Sequence, residues 1–462
     1  MQKYADYTPA QAAWLDELPS HWQCKKIGAL FSERKSKVSD KDYAPLSVAR
    51  IGVVPQLATA VKTDAGDNRK LVCAGDFVIN SRSDRKGSCG VAKLDGSVSL
   101  INIVLTPRNG LSERYLHYLL RSQPFSEEYY RNGRGIVADL WTTRYSEMKS
   151  ILLPVPPREE QDQIVCFLDW KVSSLNKLIS NYRHQIVLLE EMKQRKIDEA
   201  VVNGMRKSAL IHNHDVRWGI DYPEHWQIRR IRESFSFRKG LSITKANLVE
   251  TGIAVISYGQ IHSKKNSGVS LNEELIRYVN ESYLTTNQGC LVEKGDFIFA
   301  DTSEDVTGCG NCAYIDWDDT IFAGYHSIIA HPDGSTNNKY LAYLFKSPTW
   351  RYQIRKKVNG VKVYSITQKM LKDAFILIPP DDEQKEIVRY LDEVCAKIDV
   401  TIKKMEAKIA NLQDLRICLI ADTVTGKIDV RGIEIPEYEF VDEDADADNE
   451  DDGEEDTEEQ ED

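Results

Sequence analysis

The sequence predicts an α/β protein: two globular domains related by a pseudo-two-fold, separated by two long helices that pair as an antiparallel coiled coil. The first observation behind this is internal repetition. Trp14 to Lys35 aligns without a gap on Trp218 to Lys239, with ten of 22 positions identical. Among them are Pro19/Pro223, His21/His225, Trp22/Trp226, Arg34/Arg238 and Lys35/Lys239. A second block, Pro156 to Asp169, matches Pro379 to Asp392 at eight of 14 positions. Solenoid repeats recur every ~20–50 residues, so a half-chain period describes two whole domains. The second observation is a pair of matched heptad runs, and the third is a pair of unlike middle segments held in like frames.

Taken in order, residues 1–157 form the first domain. Its middle, Leu71 to Pro107, sets short apolar runs between Gly and Asp punctuation, the pattern of paired strands. Arg114 to Tyr130 then takes helical spacing. Residues 158–203 form the first long helix. Apolar positions fall at alternating steps of four and three: Leu168, Val172, Leu175, Ile179, Tyr182, Ile186 and Leu189. This is a coiled-coil seam. Pro157 precedes the helix, acidic residues favour its N-terminus, and Asn203-Gly204 supplies a stop.

Residues 204–380 repeat the domain, with Gly295-Asp296-Phe297 answering Gly75-Asp76-Phe77 and Gly/Cys turns at 87–90 and 308–310. Its variable part is 19 residues longer. Residues 381–425 form the second helix, with a seam of Leu391, Cys395, Ile398, Ile402, Met405, Ile409 and Leu412. At about 44 residues each helix measures roughly 65 Å. Residues 426–462 end the chain. From Asp442 onward, 15 of 21 residues are acidic and none is basic, a composition that predicts a disordered tail. The net charge of −11 is therefore misleading: without this tail the body carries +4. The tail reads as a solubilising segment, or as a mimic of nucleic acid that screens a basic groove.

Composition bounds the function. The apolar runs fall well short of the ~18 residues a membrane span needs, and the start has no basic and apolar signal regions. The nine cysteines are odd in number and scattered, as reduced thiols in a cytoplasm are. The Pro-Pro pairs read Val155-Pro156-Pro157-Arg158 and Ile378-Pro379-Pro380-Asp381, so neither is a methyltransferase tetrad. No triphosphate-binding glycine loop is present, and Gly426-Lys427 is followed by Ile428. A standalone nuclease or methyltransferase is thus disfavoured, and no catalytic residue is expected. Cys309, Cys312, His326 and His331 satisfy a zinc-site spacing. However, the two histidines sit in a strand-like segment and the first domain has no counterpart, so ordinary strand and turn residues, with no metal, are expected.

Two domains, each closed by Pro-Pro-x-x-Glu-Gln running into a long helix, resemble the specificity subunit of a Type I restriction–modification enzyme. The Pro-x-His-Trp openings and the closing Val424-Thr425-Gly426-Lys427-Ile428-Asp429-Val430 are similar to that family too. The resemblance covers residues 14 to about 438, and the acidic tail departs from it. It implies two target-recognition domains, each reading half of a bipartite double-stranded DNA target, with the helices as spacer. It also implies partners: two modification subunits that methylate adenine with S-adenosylmethionine, and restriction subunits that use ATP and Mg. This chain itself would bind no cofactor. The competing reading is a coiled-coil scaffold for proteins that binds no DNA.

Side-chain chemistry selects the contacts. Arg can bridge guanine O6 and N7, and carboxylates can accept from cytosine N4. Arg82, Arg85 and Lys86 suit guanine or phosphate, while Thr302, Ser303 and Glu304 suit other base edges. Arg34, Lys35, Arg131, Arg134, Arg144, Arg238, Lys239, Arg355, Lys356 and Lys357 suit phosphates.

Overall fold

The computed structural model describes residues 2–57, 66–82, 85–108, 111–135, 141–206, 208–212, 219–360 and 362–442. Trp218, the Ser83-Asp84 pair and the tail beyond Asp442 lie outside the described residues. The chain divides into two compact units, Met1–His184 with Met405–Asp462, and Gln185–Lys404. Both boundaries fall inside the long helices, so each unit holds the first half of one and the second half of the other.

Unit 1 is built on a four-stranded antiparallel sheet of β1 (Phe31–Glu33), β2 (Phe77–Asn80), β3 (Cys89–Val91) and β4 (Asn102–Pro107), in the order β3-β2-β4-β1. Helices α1 (Glu113–Arg121) and α2 (Gln123–Arg131) follow, then α3 (Arg158–Asn203). Every residue of β2 is buried, because the sheet is covered on both faces and successive side chains alternate between them. Phe77 and Ile79 enter a core with Tyr115, Leu119 and Phe125 of the two short helices. Val78 faces the other way, toward Leu46, Val72 and Val98 of smaller flanking strands. A continuous apolar run thus marks a central strand. Cys89, which the sequence places in a turn, begins β3, and the turn falls at Gly87, whose φ is +80°.

Unit 2 repeats this plan with β5 (Phe235–Lys239), β6 (Phe297–Ala300), β7 (Cys312–Tyr314) and β8 (Ser327–Pro332), in the order β5-β8-β6-β7. Helices α4 (Asn338–Lys346) and α5 (Pro348–Arg355) cover one face, and α6 (Asp381–Val424) follows. Phe297, Phe299, Phe345 and Trp350 form one aromatic cluster, with ring centroids 4.6 to 5.9 Å apart. The opposite face differs from unit 1, since a five-stranded sheet lies there and contains a parallel pair, Ile253–Ile256 with Ile321–Ala323. The extra length of the second variable part contributes to this sheet.

The repeated blocks meet at one buried carboxylate per unit. In unit 1, Glu160 of α3 accepts hydrogen bonds from Trp22 Nε1 (3.1 Å) and the Tyr4 hydroxyl (2.6 Å), and lies 2.7 Å from His21 Nε2. In unit 2, Glu383 of α6 accepts from Trp226 Nε1 (3.0 Å) and lies 2.7 Å from His225 Nε2. The neighbouring glutamines pin the short helices. Gln161 accepts from the N–H of Ser112, the N-cap of α1, and donates to Pro156 O (each 2.9 Å). Gln384 does the same with Asn337, the N-cap of α4, and Pro379 (each 2.8 Å). The shared Glu-Gln and His-Trp pairs are thereby explained as mutual partners.

The helix halves pair antiparallel inside each unit. In unit 1, Arg416 donates to Asn176 (2.8 Å) and the Lys408 ammonium lies 5.3 Å from the Tyr182 ring centroid. In unit 2, Lys193 pairs with Asp399 at 2.6 Å and Arg206 with Glu386 at 2.9 Å. Leu168, Val172, Leu175, Ile179, Leu391, Cys395 and Ile398 are buried, whereas Tyr182, Ile186, Leu189, Ile402, Met405, Ile409 and Leu412 are half-buried. Two helices alone cannot cover a seam on every side, so it is driest where a domain packs on it. Each helix ends at a glycine. Gly426 (φ +80°) approaches Pro19 and Trp22, and Gly204 (φ +73°) approaches Trp226, so closely that a Cβ would collide.

Replacing Glu160 by Ala leaves the buried Trp22 N–H and Tyr4 hydroxyl without an acceptor. The expected cost is about 2–4 kcal/mol, read as a lower midpoint in urea denaturation followed by Trp fluorescence. An unchanged midpoint would show that the carboxylate does not hold the frame to the helix.

Candidate nucleic-acid interface

In both units the connection from the second to the third strand of the main sheet converges with the C-terminal end of the second short helix and with a later segment. In unit 1 the connection leaves β2 at Ser81. Thr143 N–H donates to Ser81 O (3.0 Å), and Thr142 exchanges backbone bonds with Arg134 (2.8 and 3.0 Å). Arg82 also bridges Thr142. The Tyr130 hydroxyl donates to Arg82 O (3.2 Å), and the Lys86 ammonium sits 5.1 Å from the Tyr130 ring centroid. Arg85 and Tyr130 line one small cleft. Arg82, Arg85, Lys86, Arg131, Arg134 and Arg144 are therefore gathered around Tyr130 and Thr142. Arg131 is held at 2.5 Å by Glu128 of its own helix, while Arg134 and Arg144 are exposed.

Unit 2 builds the same place from different groups. Thr302–Ser303 pairs antiparallel with Tyr364–Ser365, and Ile366 N–H donates to Asp301 O (2.7 Å). Buried Arg351 of α5 donates to Thr307 O (3.0 Å) and Gly308 O (3.3 Å), and Arg355 also donates to Thr307 O. Asp305 accepts from the Thr307 hydroxyl and the Gly308 N–H (each 2.6 Å), bonds that hold its carboxyl below the usual range. Ser303 is buried and spends its hydroxyl on Asp305 O (2.7 Å), half-buried Thr302 donates its own to Asp301 Oδ1 (2.8 Å), and Glu304 is exposed. Lys356 lies 6.0 Å from the Tyr352 ring centroid, and Lys357 donates to Met370 O (3.5 Å).

One residue of this cluster is conformationally unusual. His326 has φ +52°, the left-handed region, and among the described residues it is the non-glycine residue that does so. Its ring lies edge-on to Tyr258 (5.5 Å) and Tyr325 (6.1 Å), with Nδ1 3.2 Å from Asp301 Oδ1 and 3.3 Å from Thr302 Oγ1. Histidine pays for this backbone state, and such strain collects at binding sites.

The paired basic residues of the frame sit apart from these loops. Arg34 donates twice to buried Asp76 (2.7 and 3.0 Å), and the Thr106 hydroxyl completes that carboxylate. Arg238 donates to Gly289 O (3.1 Å) and lies 3.6 Å from Asp296, which is fully buried. Each guanidinium thus braces the aspartate of a repeated Gly-Asp-Phe, and Lys35 and Lys239 beside them are exposed.

Three of the four residues with zinc spacing, Cys309, His326 and His331, have other partners. Cys309 is buried with its thiol on Asp305 O (3.5 Å), and His331 Nδ1 lies 2.6 Å from Asp296. Cys312 is buried, and its burial pushes the thiol up to about 12. Among the described residues no group of three or more His, Cys, Asp or Glu is placed to hold a metal ion.

Sequence reasoning missed Tyr130, Thr142, Arg351, Tyr364 and Ser365. They come from segments well separated along the chain from the loops they support, and no local pattern marks them.

Residues 223–411 match the family model of the Type I restriction modification DNA specificity domain. The chain is 21% identical over 434 residues to the MjaVIII Type I restriction enzyme specificity subunit of Methanocaldococcus jannaschii, covering 90% of this chain and 95% of that one. It is 22% identical over 340 residues to the EcoKI specificity subunit of Escherichia coli K12, covering 70% and 68%. A chain solved in a study of complex assembly and conformational transition of the type I R-M system shares the fold. Its TM-score is 0.64 at 15% identity, over 89% of this chain and 99% of that one. No helix among the described residues is long and apolar enough to cross a membrane.

Arg351→Ala removes the clamp on Thr307 and Gly308, whose carbonyls then keep only Arg355 and the Asn311 N–H as donors. The expected cost is about 2–3 kcal/mol, together with faster amide exchange confined to residues 301–311. Uniform exchange across unit 2 would mean that Arg351 supports the core instead of the loop.

Proposed function

We infer that this chain is the specificity subunit of a Type I restriction–modification system, a DNA reader without catalytic residues of its own. The observation that carries this reading is the contrast within the two units. One topology is used twice, and at the same place each unit presents loops of unlike chemistry. Each unit reads one half of a bipartite target. Arg82, Arg85 and Lys86 in unit 1 address guanine or phosphate; Thr302 and Glu304 in unit 2, with His326 beside them, address other edges. Lys35, Lys239, Arg134, Arg144, Lys356 and Lys357 hold phosphates. The helices set the number of unread bases between the half-sites and carry the other subunits. Leu178, Val187, Leu188 and Met192 of α3 and Val400, Leu415 and Ile417 of α6 are exposed apolar side chains, as expected of helices that partners cover. Those partners are two adenine-modification subunits using S-adenosylmethionine and the restriction subunits using ATP and Mg, assembled in the cytoplasm. A band-shift with the chain alone, and with a co-expressed modification subunit, tests the reading. Assembly without any DNA binding would favour a scaffold for proteins.

Lys356→Ala with Lys357→Ala is expected to weaken binding to cognate and random DNA alike, lowering the salt slope by about one unit per lost phosphate contact. Arg85→Ala is expected to relax one base position at a cost of about 1–3 kcal/mol. Equal losses on both DNAs would remove Arg85 from base reading. Inserting four residues beside Leu189 adds about 6 Å of helix, close to two base steps of about 3.4 Å. Methylation mapping should then show a spacer longer by one or two base pairs with both half-sites unchanged. An unchanged spacer in an active variant would mean that the helices do not set the distance.

A further inference from the structure

The last described residues of the chain are tied down. Beyond α6, Asp429 N–H donates to Gln2 O (2.9 Å), and Gln163 of α3 donates to Val430 O (3.1 Å) and Ile433 O (2.8 Å). Farther on, Val441 N–H donates to the Ser173 hydroxyl (3.2 Å) and Val441 O accepts from the Asn176 side-chain amide (3.1 Å), both on α3. Lys177 pairs with Glu439 at 3.0 Å, and the Arg114 guanidinium lies 5.5 Å from the Phe440 ring centroid. The strap so formed delivers Asp442 to within 3.3 Å of Lys93. There a cavity of about 820 Å³ opens, lined by Val91, Lys93, Arg114, His117 and Arg121, with Glu113 as its acidic group besides Asp442. Three cations line it against two carboxylates, with Arg114 also paired to Asp169 at 2.7 Å, and burial followed by Arg121, Lys93 and Arg114 pushes the His117 imidazole down to about 3.

We propose that this cationic groove of unit 1 is the docking surface for the acidic tail of the same chain, residues 443–462. Fourteen of those 20 residues are Asp or Glu and none is basic, so occupant and surface are complementary in charge. The attachment point decides which cations the tail meets first. Fully extended, 20 residues reach roughly 65 Å, and the three residues of β3 separate the groove from the loop after β2. Arg121 lines both this groove and the cleft that holds Arg85. A single exposed ion pair contributes at most about 1 kcal/mol. A tethered tail, however, meets the groove at an effective concentration on the order of millimolar, and cations relieve the repulsion among its own carboxylates. The contact is mostly exposed, so salt should dissolve it. On the reading that unit 1 binds DNA, the tail competes there with phosphates and sets a threshold that only well-matched DNA overcomes.

Carbodiimide crosslinking of the full chain, mapped by mass spectrometry, tests the docking. Tail carboxylates should join Lys93 and Lys86 at low salt, and these links should vanish at high salt. They should also vanish when the Asp and Glu of 443–462 are replaced by Asn and Gln, a change that touches no core residue. Links spread equally over exposed lysines such as Lys294 and Lys403 would overturn the proposal. In a second arm, a chain ending at Asp442 should bind duplex DNA about tenfold more tightly than the full chain at low salt and equally at high salt. Specific links to Lys93 with no DNA binding by either chain would leave the docking standing and overturn the DNA reading instead.

Discussion

A buried carboxylate at the start of each long helix organises its unit. Glu160 and Glu383 are each almost inaccessible and each receive an indole N–H and an imidazole from the frame block. A buried charge is tolerated only when its hydrogen-bonding capacity is met, so the frame and the helix start are obliged to come together. The next residue, Gln161 or Gln384, carries the constraint on to the N-cap of the short helix beneath the sheet. Tyrosines of those short helices extend it again. Tyr115 donates to Pro154 O and Val424 O, and Tyr340 to Leu377 O and Val201 O. In each unit the end of one long helix is thereby joined to the start of the other.

Such a frame leaves the connecting loops free to differ. The main sheet is closed on both faces by apolar cores, and among the described residues of the loops after β2 and β6 Cys309 alone enters one of them. The loops are held by a few contacts from later segments, Tyr130 and Thr143 in one unit and Arg351, Arg355 and the Tyr364–Ser365 strand in the other. Changing the recognition chemistry thus costs little stability, while changing the frame costs much.

Charge is distributed by the same logic. Cations that brace the frame, such as Arg34 on Asp76, are neutralised internally and lend the surface little. The cations of the unit 1 loop and of the groove at Lys93 lie nearer solvent and shape the long-range field that a polyanion would meet. Asp442, the last described residue, lies on that side, 3.3 Å from Lys93.

The doubled architecture and both helices were legible because periodicity and internal identity are local properties of a chain. The a/d stripe shows a narrow seam without any knowledge of the partner, and the repeated His-Trp and Glu-Gln pairs marked the frame before their contact was known. The loops were legible as places where two like halves diverge. Their supports were not, since Tyr130, Thr142 and Tyr364 reach the loops only through tertiary packing. The roles of Arg34 and Arg238 were also beyond sequence reasoning. An exposed arginine and one spent on a buried aspartate look alike along a chain, and only the position of Asp76 or Asp296 in the folded core distinguishes them. The sequence by itself therefore determined the repeat, the helices and where the halves diverge. The tertiary structure decided which charges remain available to a ligand, because that depends on long-range partners that no local pattern records.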